Sequence, residues 1–313
     1  MTSFISSRPK LAGALCLITV GGTVLYLGKR RLNQLCPRLS VTDLPRSSAC
    51  RKLVEEGESV NHTAWGMNKS TTLSSWSDAH NQTHWVTSFA ALQTEIPISS
   101  LASYEKVITK NQTDPEKSDT LYLAQNLLAA FLNGRATGLE PRFLDKDVPP
   151  LSFTPGSHLF GQSTSMGAFL LGSWSSLKAI SVQPDALPST PLMPVSAFPS
   201  NSDTIDNQAD AAGTVMYWMF PRGVVNSLDK AASYGLPWRA MDGGFQEYIV
   251  EKVSDETARV TYVMVECGNL YPSESSSKSA RDYKKIPWLF YELHVLYAQI
   301  LWYKMLRQLG VWS

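Results

Sequence analysis

An excess of charge of either sign is the first thing this chain lacks: 28 Lys and Arg stand against 27 Asp and Glu. With no net basic field to hold phosphates, nucleic acid is excluded as a partner. Cysteine is scarce too. Cys16, Cys36, Cys50 and Cys267 are scattered, and none has the spacing of a zinc site or a disulfide framework. The signatures of phosphate binding and nucleophilic hydrolysis are missing: there is no Gly-x-Gly-x-x-Gly, Gly-x-x-x-x-Gly-Lys, Gly-x-Ser-x-Gly or His-Glu-x-x-His. Gly161-Gln-Ser-Thr-Ser-Met-Gly167 has the outline of a phosphate loop but not its Lys. His80 and His84 have the i, i+4 spacing of two metal ligands, yet Asn81-Gln-Thr83 between them reads as a loop, so we take them as a surface pair. Neither a metal nor a cofactor is expected.

What is present starts with composition: 43% hydrophobic and 18% charged residues describe a chain that builds a core. Leu11 to Gly28 is uncharged and flanked by Arg8 and Lys10 before it and by Lys29, Arg30 and Arg31 after it. At 1.5 Å per residue the run covers about 27 Å, enough for a thin bilayer of the endoplasmic-reticulum type. It lacks the small-x-small site of a cleaved signal peptide, so we read a single-pass transmembrane anchor. More Lys and Arg follow it than precede it, which puts the main domain in the cytosol. Four sequons, at Asn61, Asn68, Asn81 and Asn111, are glycosylation acceptors if the domain is instead luminal.

The expected division is a tail (1–10), the anchor (11–28), a linker and capping segment (29–83), and a ligand-cavity domain (84–313) with a mobile insertion at about 177–210. The insertion is rich in proline. In the linker a short helix is predicted at 48–56. A strand is predicted from Trp85 to about Glu95, then a helix over 101–108 capped by Ser100, then a helix over 119–133 stopped by Gly134. Residues 138–161, with prolines at 141, 149, 150 and 155, read as a long loop holding His158. Strands follow at 168–174 and 213–221, then a short helix from Asn226 or Ser227 to about Tyr234.

The strongest pattern is at the C-terminal end. Phe245, Glu247, Ile249 and Glu251 lie on one side of a strand, with Gln246, Tyr248 and Val250 on the other. Gly243 and Gly244 before it supply a turn with positive φ. A hairpin loop at 254–257 leads to a second strand with Val260, Tyr262, Met264 and Glu266 on one side. From about Trp288 a long helix begins, apolar except for a stripe around Glu292 and Gln299. Such a helix is either buried against a sheet or laid on a membrane. The expected fold class is α+β: an antiparallel sheet wrapped around a long C-terminal helix, preceded by one transmembrane helix.

The order of an early strand, two helices, several antiparallel strands and a final long helix resembles the START-like (SRPBCC) helix-grip proteins. Residues 234–250, with their Gly-rich turn and Glu-bearing strand, are similar to an uncharacterised group with that fold. The combination of Val41-Thr-Asp-Leu-Pro-Arg-Ser-Ser-Ala49 with a single anchor also resembles unannotated proteins found with fungal natural-product biosynthesis genes. These likenesses imply a hydrophobic cavity and a secondary-metabolite setting, with neighbouring biosynthetic enzymes as partners, and transfer no residue role.

From the residues themselves, an acid among aromatics has its pKa raised and can move protons near neutral pH. Glu247, next to Tyr248 and expected opposite Tyr262, is the first candidate; the plain alternative is a solvent-facing carboxylate. Asp242 in the Gly turn is a second proton carrier, and Arg239 a group to steady an oxyanion. Tyr217, Trp238, Tyr248, Tyr262, Trp288, Tyr291 and His158 are the candidate ligand-binding residues, against the alternative that the aromatics are core. The functional expectation is a membrane-anchored protein that binds a hydrophobic intermediate of secondary metabolism and carries out a cofactor-free cyclisation, isomerisation or dehydration. A non-catalytic carrier and a luminal glycoprotein interaction module are the alternatives.

Overall fold

The computed structural model describes residues 26–55, 57–59, 73–77, 83–104, 119–136, 158–160, 167–176, 210–220, 222–236, 239, 241–270 and 286–312. In chain order the elements are α1 (26–35), β1 (Arg38–Leu39), a 3-10 turn at Val41–Asp43, α2 (Ala49–Glu55), β2 (Glu58–Ser59), β3 (Ser74–Ser77) and β4 (Thr83–Pro97). Then come α3 (Ile98–Ala102), α4 (Thr120–Ala136), β5 (His158–Phe160), β6 (Ala168–Ser175), β7 (Ala211–Met219), α5 (Arg222–Ser233), β8 (Gly243–Lys252), β9 (Thr257–Gly268) and α6 (Trp288–Gln308).

The nine strands form one sheet in the order β2-β3-β4-β9-β8-β7-β6-β5, with β1 added alongside β4. Every pairing is antiparallel. Because side chains alternate across a strand, the central strands separate two cores. On one face Met216, Tyr248, Val250, Val260, Tyr262 and Met264 pack under α4 and α6. On the other, Val215, Tyr217, Phe245, Ile249, Val263 and Val265 pack with α2 and the residues just before it. This is the expected α+β architecture with an antiparallel sheet and a C-terminal helix.

Several elements differ from the sequence expectation for identifiable reasons. α4 runs through Gly134 to Ala136, since Gly134 marks the close approach of α4 to Met305 and Gln308 of α6 rather than a stop. α3 starts at Ile98 with Pro97 as its N-cap, three residues before the predicted start. α5 starts at Arg222, ahead of the predicted cap at Asn226 or Ser227. The predicted 138–161 loop ends in a strand, because His158 pairs with Phe169 in β5 and β6. Gly243 and Gly244 are extended residues of β8, not a positive-φ turn. A Cβ on Gly243 would overlap the Trp218 carbonyl, and one on Gly244 the Val265 carbonyl, so these glycines let three strands close up.

The polar stripe expected on α6 also faces inward. Glu292 pairs with Lys29 at 2.6 Å and Arg38 at 2.8 Å, and the Gln299 amide donates to Asn33 Oδ1 at 2.9 Å and to the Cys36 carbonyl at 3.1 Å. Since 29 meets 292 and 33 meets 299, α1 lies along α6 and runs the same way. Only 26–28 of the expected anchor are described. Among the described residues no helix is long and apolar enough to cross a membrane.

Candidate functional site

The face of the sheet under α4 and α6 does not close completely. A cavity of about 270 Å³ remains, walled by β7 and β8 (Trp218, Gln246), β9 (Tyr262, Met264), α4 (Phe131, Arg135) and α6 (His294, Tyr297, Ala298, Leu301), with Phe220 and Met241 at its edge. Its base is aromatic: Phe131 stacks on Tyr262 with centroids 5.0 Å apart, and Tyr262 stacks on Trp302 at 5.8 Å. These contacts follow from alternation on β9 and from the i, i+3, i+4 spacing of His294, Tyr297, Ala298 and Leu301 on α6.

Beside this apolar wall sits one ionisable pair. His294 Nε2 lies 2.9 Å from Glu266 Oε1 and 3.0 Å from Met264 Sδ. Glu266 is fully buried, and its other oxygen accepts from Ser88, its cross-strand neighbour on β4. The 2.9 Å contact is an ion pair when the imidazole is protonated, although it falls short of a well-aligned hydrogen bond to Oε1. Burial opposes a charge on His294, but the Glu266 carboxylate outweighs it and raises the imidazole above its usual pKa. Nδ1 makes no hydrogen bond among the described residues. Two wall groups are likewise uncommitted: the buried Trp218 indole N–H has no partner among the described residues, and the Gln246 amide accepts from the Tyr248 hydroxyl at 2.8 Å while its nitrogen donates to none of them.

Glu247 lies on the opposite side of the sheet. It pairs across to Val263, whereas Tyr248 pairs with Tyr262, which corrects the expected Glu247–Tyr262 apposition. Its carboxylate is fully buried and accepts four hydrogen bonds: Ser48 Oγ at 2.6 Å, the Ala49 and Cys50 amides at 2.9 and 3.0 Å, and Trp174 Nε1 at 2.6 Å. Burial pushes its pKa above the ordinary carboxylate value, although the four donors pull it part of the way back. With every approach to the two oxygens taken by a donor, the ionised form is the one this geometry fits. Ser48 also accepts the Arg51 amide at 3.1 Å, so the same contact caps α2.

The other predicted residues are dispersed. Asp242 is buried and accepts the Leu270 amide at 3.0 Å, bracing the start of β8 away from the cavity wall. Arg239 is paired with Asp229 of α5 at 2.6 Å. Tyr217 is buried on the Glu247 face against Phe245. Tyr262 lines the cavity, and Tyr248 reaches it through Gln246. Tyr291 is buried, its hydroxyl donating to the Phe89 carbonyl at 3.0 Å, while Trp288 is 55% exposed. For His158 the structure gives the strand pairing only. Trp238, Asn61, Asn68, Asn81, Asn111, residues 1–25 and the insertion at 177–209 lie outside the described residues. His84 is not on the surface: it is buried on β4 with Nδ1 2.8 Å from the Asn269 carbonyl oxygen. Sequence reasoning placed Glu266 on the correct face but missed His294 as its partner. The signal available was a lone His on an otherwise apolar helix face.

Fold and site together define an α+β protein whose antiparallel sheet is covered by two helices that leave a small, partly open and mostly apolar cavity with one His–Glu pair. No protein-family description matches the chain, and no curated protein matches it. Among solved structures the chain is similar to the crystal structure of human STARD10, at 11% identity over 82% of this chain and 83% of that one, with a TM-score of 0.24. A superposition that loose carries no argument about fold or ligand, so the functional reading rests on the cavity.

Proposed function

We propose that this protein binds a small hydrophobic metabolite in the cavity between the sheet and α4 and α6, and that His294 exchanges a proton with it. The supporting observation is the combination of an apolar wall with His294 held at Nε2 by buried Glu266 and unbonded at Nδ1. A carboxylate that fixes one ring nitrogen leaves the other as a positioned base. At about 270 Å³ the cavity is at the small end of ligand pockets, which suits a compact ring system better than a two-chain lipid.

In this reading Nδ1 takes a proton from a carbon or hydroxyl of the ligand and returns it to another atom. That balances as an isomerisation or cyclisation; in a dehydration the proton leaves with the hydroxyl as water. The Trp218 N–H and the Gln246 amide are the donors for a ligand oxygen on which charge develops. Glu247, Asp242 and Arg239 lie outside the cavity and take no part in this step. A secondary-metabolite setting, a single-pass anchor at residues 11–28 in the endoplasmic reticulum and a cytosolic domain remain part of the proposal, supported by the sequence alone.

The test is native mass spectrometry of the protein purified from its own host, followed by single-turnover assay of whatever is bound. A small hydrophobic ligand is expected on the wild type and absent from Leu301→Trp, which fills the cavity. His294→Gln keeps the ligand and loses turnover. Binding without turnover in the wild type leaves the carrier reading and removes the enzyme. No ligand from any host extract removes both.

A further inference from the structure

The outward face of α6 is apolar where a solvated helix is polar. Trp288, Leu289, Phe290, Leu293, Tyr297 and Ile300 are between 39% and 58% exposed. Positions 289, 293, 297 and 300 recur at four, four and three, so they form one stripe about 16 Å long. The helix is apolar on both sides because its polar groups, Glu292 and Gln299, are spent on α1 and the residues after it. A contiguous apolar strip of this kind marks a contact surface.

Two observations identify what covers it. First, α1 runs alongside α6 in the same direction, so Tyr26, where α1 begins, lies towards the end that carries Trp288, Leu289 and Phe290. Tyr26 and Leu27 are themselves 65% and 54% exposed, and they close the uncharged run that begins at Leu11. Second, bases border the strip, with Arg30 and Arg31 at that end and Lys304 and Arg307 at the other. The acid nearby, Glu292, is already neutralised by Lys29 and Arg38. An apolar face with Trp and Tyr at its margins and bases at its ends is the pattern of a helix lying in a membrane interface, where the bases reach lipid phosphates.

We propose that the exposed face of α6 lies in the headgroup region of an anionic bilayer, as a second membrane contact beside the segment that precedes residue 26. This contact is separate from the anchor, because an anchored chain can hold α6 off the surface. It is separate from ligand binding as well, but it meets the cavity at Tyr297, which belongs both to the strip and to the cavity wall. A ligand dissolved in the bilayer therefore reaches the cavity past Tyr297.

The experiment uses the full chain reconstituted with vesicles of phosphatidylcholine and phosphatidylserine, with and without bromine on the upper acyl chain. Trp288 is one of nine tryptophans, and subtracting the signal of Trp288→Phe isolates it. Bromination is expected to quench the Trp288 component roughly two-fold, and Leu289→Glu with Leu293→Glu, folded by circular dichroism, is expected to abolish the quenching. A Trp288 component unchanged by bromine while the chain floats with the vesicles overturns the proposal and leaves the anchor as the sole attachment. A chain that does not associate with vesicles, or one cross-linked through α6 to a second copy with Trp288 unquenched, also overturns it.

Discussion

Ser48 and Glu247 are 199 positions apart in sequence and 2.6 Å apart in space. Around that contact the start of α2 is fastened to the middle of the sheet: Ser48, Ala49, Cys50 and Trp174 all donate to one buried carboxylate. Part of what composition alone describes as a linker is therefore a clasp on the far side of the sheet from the cavity.

Replacing Glu247 by Gln exchanges an acceptor oxygen for an amide that points hydrogens at donors already in place. The expected loss is about 2–4 kcal/mol of stability, with α2 released and ligand binding at 25 °C preserved. Denaturant unfolding measures the first, and amide exchange at residues 49–55 the second. A variant as stable as the wild type would contradict the clasp.

Glu292 gives the protein an acid-sensitive seam. Arg38, then Lys29, outweigh partial burial and hold its pKa at about 2, below the ordinary carboxylate value. A depressed acid contributes stability that is complete above the ordinary pKa and is lost as pH falls towards about 2. Because Lys29 is partly exposed the effect is modest, ~1–2 kcal/mol. Unfolding followed from neutral pH down through that window should show the loss in the wild type and not in Glu292→Gln.

His294 has the opposite sign. Its pKa is raised in the folded state, so the stabilisation from pairing with Glu266 is present below the ordinary His pKa and disappears as pH rises through the folded value. As a base it must be neutral, so the rising limb of turnover is expected above the ordinary His range. Ser88→Ala, which takes from buried Glu266 the donor on its other oxygen, is expected to shift that limb and to cost about 1–3 kcal/mol of stability. Glu266→Gln, which leaves only burial acting on the imidazole, is expected to bring it below the ordinary His value. A pH–rate profile identical in all three proteins would remove the pair from the chemistry.

At Gly244 the Val265 carbonyl occupies the place of a side chain. Gly244→Ala is therefore expected to push β8 and β9 apart at the end nearest the Glu266 pair, at a cost of about 1–3 kcal/mol. Thermal unfolding gives the stability change. The His294 imidazole signals in an NMR spectrum report whether the pair is disturbed, and both are expected to change.

The sequence by itself determined β4, β6, β7, β8 and β9, the β8–β9 hairpin and the side on which each residue of those last two strands lies, but read β5 as loop. Alternation is a local property with period two, and it placed Glu247 and Glu266 correctly on their own strands. It could not determine which side holds the cavity. That depended on α4 and α6 covering the face of Tyr262 and Glu266, and on α2, from the far end of the chain, covering the face of Glu247. The same applies to α6. Its low amphipathicity was visible in the sequence, but only the tertiary structure showed that its polar stripe is buried against α1 while its apolar stripe is exposed. Glu292 and Gln299 find their partners more than 250 residues upstream, a distance at which no local pattern carries information.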